Sequence, residues 1–141
     1  MINENLKFTG YVTVSLNGDV IQEIPNLVVD TGKAYVTSRI KDATAGVMSH
    51  MAVGTNAVAA AAGNTTLGTE AGRVALTSTS VTGGTVTYAA TFPAGTGTGA
   101  LTEAGILNAS SGGTMLCRTV FSVVNKQAAD AMTISWSVSA S

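Results

Sequence analysis

The stretch Asp130-Ala131-Met132-Thr133-Ile134-Ser135-Trp136-Ser137-Val138-Ser139 decides the fold of this chain. Met132, Ile134, Trp136 and Val138 take one side of an extended segment; Thr133, Ser135, Ser137 and Ser139 take the other. A period of two marks a half-buried strand with one face on a core. The opposite face is all small hydroxyls and carries no charge. Such a face suits a surface destined to be covered, so function has to be argued from surfaces.

The same alternation recurs upstream. Leu6, Phe8, Val12, Val14 and Leu16 oppose Lys7, Thr9, Thr13 and Ser15, and Asn17-Gly18-Asp19 is a hairpin signal. Val20–Ile24 reads as the returning strand, ended by Pro25-Asn26. Asp30-Thr31-Gly32 reads as a helix start with Asp30 or Thr31 as cap. The helix is expected from Gly32 to about Lys41. Ala34, Tyr35, Val36, Ser38 and Ile40 form its packing side, and Arg39 and Lys41 lie in its last turn, where the dipole favours them. Val47–Val53 reads as a central strand. The alanine-rich Asn56–Thr65 reads as a surface loop that takes form against a neighbour. Val74–Val81 and Thr85–Phe92 read as strands around Gly83-Gly84. Pro93–Gly99, with Gly95, Gly97 and Gly99, must be a loop. Leu101–Leu107 and Thr114–Val124 are two further strands joined by Asn108–Gly113, and Asn125–Ala129 turns the chain into the last one. About eight strands with regular turn signals predict a sandwich or barrel. The expectation is mainly β: one antiparallel β-sandwich domain over residues 1–141, jelly-roll-like, with one short helix.

Composition narrows the function classes. The chain has 141 residues, a length for one domain with a real core. A net charge of -1 leaves no basic footprint for nucleic acid. Charged residues make up 11% of the chain, against a usual ~25%. A chain so poor in charge suits solubility through assembly more than through repulsion. The one cysteine, Cys117, excludes an intrachain disulfide and reads as a small core residue. Met1-Ile2-Asn3-Glu4-Asn5 has neither the basic nor the apolar region of a secretion signal. No run approaches the ~18 apolar residues of a membrane helix.

The motifs of chemistry are weak. Gly95-Thr96-Gly97-Thr98-Gly99 has the glycines of a phosphate loop but is followed by Ala100-Leu101-Thr102, with no lysine to reach a phosphate. His50, the only histidine, and the distant Cys117 do not make a zinc set. No Gly-x-Ser-x-Gly elbow is present for a serine nucleophile, and His50 lies in an apolar pattern. A glycosidase pair of carboxylates would want aromatic platforms, and the only tryptophan, Trp136, reads as core. Among the few charges, Glu70 and Arg73 are three apart and are expected to pair across a helical turn. Glu103 is expected to pair with Arg73 or Arg118 on a neighbouring strand, fixing register more than adding stability; the alternative is plain solvated charges. No catalytic, cofactor or metal residue is assigned.

The succession Gly54-Thr55, Thr66-Leu67-x-x-Glu70-x-x-Arg73, Tyr88-x-Ala90-Thr91-Phe92, Thr102-Glu103-Ala104-Gly105-Ile106, Arg118-Thr119-Val120-Phe121, Lys126 and Ile134-x-Trp136 resembles small virion proteins of tailed bacteriophages. It is most similar to capsid cement (decoration) proteins, and some tail-fibre modules share it. It covers about two-thirds of the chain, from Met51 to Val138; each element is weak alone and their order is moderately specific. The resemblance implies a jelly-roll or related sandwich that oligomerises and binds other virion proteins, and it implies no catalytic residues. The alanine stretch Ala57–Ala62 and the short N-terminal hairpin depart from the pattern and leave open which virion component this is.

The function expected on these grounds is a cement protein. It binds the outside of an icosahedral phage head and stabilises contacts between major capsid subunits. Its partners are then the major capsid protein and itself, as dimer or trimer, with no nucleic acid and no membrane. Its place is the capsid surface of the virion, assembled in the host cytoplasm. The alternative is a tail-fibre or receptor-binding module for a host surface glycan. Interface residues are expected in the N-terminal strand (Leu6, Phe8, Tyr11, Val12), the alanine loop (Ala57, Ala60, Asn64, Thr65) and the glycine loop (Pro93, Thr96, Thr98). The N-terminal strand is expected to add to a partner's sheet edge.

Overall fold

Along the last strand Met132, Ile134 and Trp136 are fully buried and Thr133 is exposed, as a period of two requires. The same holds upstream, where Val12 and Val14 are buried and Thr9 and Tyr11 face solvent. The structure, a computed structural model, describes residues 6–141; the segment Met1–Asn5 lies outside the described residues. In chain order the elements are β1 (Phe8–Leu16), β2 (Asp19–Val28), α1 (Asp30–Lys41), β3 (His50–Gly54) and β4 (Glu70–Ala75). Then follow β5 (Ser78–Thr82), β6 (Thr85–Phe92), β7 (Gly99–Leu107), β8 (Met115–Lys126) and β9 (Met132–Ala140). With 54% of residues in strands and 9% in the helix, the fold is mainly β and sandwich-like.

Every strand pair is antiparallel, and one curled sheet runs β4-β3-β7-β8-β2-β1-β9-β6-β5. It folds into two layers. The front layer is β2-β1-β9-β6-β5 and the back layer is β4-β3-β7-β8. They join where Leu27 and Val28 at the end of β2 pair with Arg118 and Cys117 of β8. The likeness to a jelly roll lies in the facing layers; the chain changes layer one hairpin at a time. Between the layers lie Val12, Val14, Phe92, Ile134 and Trp136 from the front and Met51, Val53, Leu101, Ile106, Cys117 and Phe121 from the back. A second, smaller core of Val29, Ala52, Leu67, Leu107 and Met115 lies apart from it, under residues 55–69.

Four local expectations are corrected. First, β2 does not stop at Pro25; it continues to Val28. The Pro25 carbonyl accepts from Thr119 Oγ1 at 2.9 Å, so the missing N–H of Pro25 points to the side where β2 and β8 have parted and no ladder bond is lost. Second, Val74–Val81 is two strands. The Leu76 N–H donates to Ser49 and the next N–H, Thr77, to Ala89 of β6. That step is a corner from the back layer to the front, so there are nine strands. Third, α1 begins at Asp30 with Val29 as N-cap and no side-chain cap; Thr31 Oγ1 instead donates to the Met115 carbonyl at 2.9 Å. Fourth, the helix packs through Gly32, Tyr35 and Val36, while Ala34, Ser38 and Ile40 are exposed. Gly32 sets that geometry, because a Cβ there would overlap the Leu116 carbonyl.

Candidate interface surfaces

Four charged side chains, Glu103, Arg118, Lys126 and the half-buried Arg73, lie beneath loops, while most of the others are exposed. Glu103 of β7 is fully buried and forms a 3.1 Å ion pair with Arg118 of β8. Its Oε2 accepts the N–H groups of Asn56 (3.0 Å) and Thr69 (2.8 Å). Its Oε1 accepts the N–H of Gly68 (2.8 Å) and Arg118 Nε (3.1 Å). Arg118 in turn donates to Asn64 Oδ1 at 3.1 Å, and Asn64 Oδ1 also accepts from the Ala61 N–H. One carboxylate thus clasps both ends of the segment 55–69. Burial alone would raise its pKa; the three backbone N–H groups and the Arg118 guanidinium outweigh burial and hold it below the ordinary value. Gly54 lets the clasp close, since a Cβ there would overlap the Thr69 carbonyl and crowd Glu103.

Two further cations pin loops in the same way. Arg73 pairs with Glu70 through two bonds (2.7 and 3.1 Å) and donates to the carbonyls of Ala109 (2.8 Å) and Gly112 (3.0 Å) in the β7–β8 turn. The expected pairing of Glu70 with Arg73 is present, but on a strand. A bulge leaves Ala71 without a partner, so residues three apart come to one face. Lys126, 1% exposed, donates to the Pro93 carbonyl at 2.9 Å and ties down the 93–98 loop.

Among the described residues no triad or ligand set forms around the remaining reactive groups. His50 Nδ1 meets Ser49 Oγ at 2.8 Å. Among the described residues no three His, Cys, Asp or Glu side chains cluster to hold a metal. Cys117 is buried between the layers, and burial pushes its thiol pKa far up. Tyr88 is pushed up to about 12, chiefly by burial.

The sequence-predicted interface residues divide accordingly. Leu6 is exposed, Phe8 half-buried and Tyr11 exposed, but Val12 is in the core and can meet no partner. The idea that the N-terminal strand adds to a foreign sheet fails in this fold: β1 is paired on both sides, with β2 and with β9, and has no free edge. Ala57, Thr65, Pro93 and Thr98 are exposed, while Ala60 and Thr96 are half-buried. Asn64 turns inward to Arg118. The alanine-rich loop, expected to take form against a neighbour, is already held within the chain by Glu103, and the glycine loop is held by Lys126.

Two kinds of surface stand out on the outside. The front layer presents rows of hydroxyls in register: Ser80, Thr87 and Ser137 across three strands, then Thr82, Thr85 and Ser139. Thr85 and Ser139 hydroxyls meet at 2.8 Å, and Thr91 and Thr133 at 3.1 Å. Glu23 brings charge to this face, and by hydrogen bonding it raises the pKa of the exposed Tyr11. The second kind is an apolar trough of about 420 Å³ between α1 and the β5–β6 hairpin, lined by Phe8, Tyr35, Val36, Ile40, Val81 and Val86 among others. Ile40 and Val81 are 80% and 68% exposed beside it, so the molecule keeps large apolar side chains in water there.

No protein-family model, curated protein or solved structure matches this chain. Gly54, Glu70, Arg73, Glu103, Arg118 and Lys126 are the pins and clasps of the loops. Sequence reading left Arg73 or Arg118 as the partner of Glu103; the partner is Arg118, Arg73 is taken by Glu70, and the hold on residues 55–69 was missed. The signal was a carboxylate inside an apolar strand, facing a run whose N–H groups had no other assignment.

Proposed function

We propose that this chain is a capsid cement (decoration) protein, which binds the outside of an icosahedral phage head and stabilises contacts between major capsid subunits. The observation that carries the reading is the division of labour between charge and surface. Glu103, Arg118, Arg73 and Lys126 hold three loops in place from within, and the β5-β6-β9 part of the front face is left to neutral small side chains, mostly hydroxyls. Pre-ordered loops meet a partner with little further loss of entropy. Neutral small side chains let backbones approach closely and cost little to desolvate. A cement protein works through many linked copies, so each contact can be modest.

The order of Gly54-Thr55, Glu70-x-x-Arg73, Thr102–Ile106 and Arg118–Phe121 supports the same reading through its resemblance to virion proteins. Counting copies per particle tests it. A cement protein is expected in many copies on both DNA-free and DNA-filled heads. A count of a few copies, confined to the tail, would replace this reading with a receptor-binding module.

A further inference from the structure

The curled sheet has two ends, β4 and β5, and they are built differently. β4 carries Glu70 and Arg73 and contains a bulge. These are the devices by which proteins keep an edge strand from pairing with another chain. β5, Ser78-Thr79-Ser80-Val81-Thr82, has none of them. It holds no charge and no proline, its ladder with β6 is regular, and all five residues are exposed. Five residues is an ordinary strand length, not a stub. Its outer row of N–H and C=O groups is therefore a free template.

We infer that β5 pairs antiparallel with β5 of a second copy of this chain, giving a two-fold dimer with a continuous front sheet. The strand is self-complementary about Ser80. In that register Ser78 lies opposite Thr82 of the copy, Thr79 opposite Val81, and Ser80 opposite Ser80. Ser78, Ser80 and Thr82 share the outer face with Thr85 and Thr87 of β6, so hydroxyl meets hydroxyl as it already does between Thr85 and Ser139. On the trough side Val81 gains a β-branched neighbour, a favoured cross-strand pair. No like charges meet. An isologous contact of this kind closes on itself and leaves neither β5 edge exposed. The inference stands on the edge alone and does not rest on the capsid reading.

Sedimentation of the full chain over a range of concentrations tests it, with Ser80→Lys and Ser80→Glu as variants. Ser80 is exposed, so both variants are expected to keep the parent's fold, read by far-ultraviolet circular dichroism. The parent is expected to be a dimer. Each variant sets like charges opposite one another, about 5 Å apart, and is expected to weaken self-association about tenfold. Mixing the two is expected to restore the dimer. A monomeric parent, a trimer, a dimer indifferent to both substitutions, or a mixture that stays monomeric would each overturn the inference.

Discussion

Glu103 shows how a single residue can decide the order of a loop. Removing the carboxylate leaves Arg118 buried without its partner and three N–H groups without an acceptor. Glu103→Ala is expected to cost about 3–5 kcal/mol, the usual scale for breaking a buried pair. A denaturant melt measures it, and amide exchange should show faster exchange at Asn56, Gly68 and Thr69. Because the folded pKa lies below the unfolded one, this stability is present above the unfolded pKa, about 4.3 for a glutamate. It is lost as pH falls through the lowered value. The parent should therefore weaken in acid, and Glu103→Ala should have a flatter acid limb in a stability–pH profile. Among the glycines, Gly54→Ala should destabilise strongly because its Cβ has no room, whereas Gly63→Ala, in open space, should be close to neutral.

At the scale of elements, the helix and the sheet are expected to differ in local stability. α1 lacks a side-chain cap, and Gly32 is its one buried residue. β7 and β8 are buried over most of their lengths. Amide exchange should be faster in α1 than in β7 and β8; equal protection would contradict the packing described here. Alternation made β1, β6 and β9 legible in the sequence, because one face of each meets the core. What escaped was set by distant neighbours. Pro25 stays in a strand only because β8 has parted from β2, and the break at Leu76–Thr77 exists only because the two layers offer acceptors on opposite sides. The Glu103–Arg118 pair was readable as two charges in apolar strands. The clasp on Asn56, Gly68 and Thr69 was not, since it depends on how a 15-residue connection lies over the back layer.

For the whole molecule, loops clasped from within and an uncharged β5-β6-β9 face are what the proposed cement role asks of a part held between others. Its apolar trough and its unpaired β5 are the surfaces that solvent favours least. The most direct measurement is to add the purified protein to phage heads that lack it and record the temperature at which they release their DNA. The account expects saturable binding to the head and a higher release temperature. Heads that bind none of the protein and break at an unchanged temperature would contradict it.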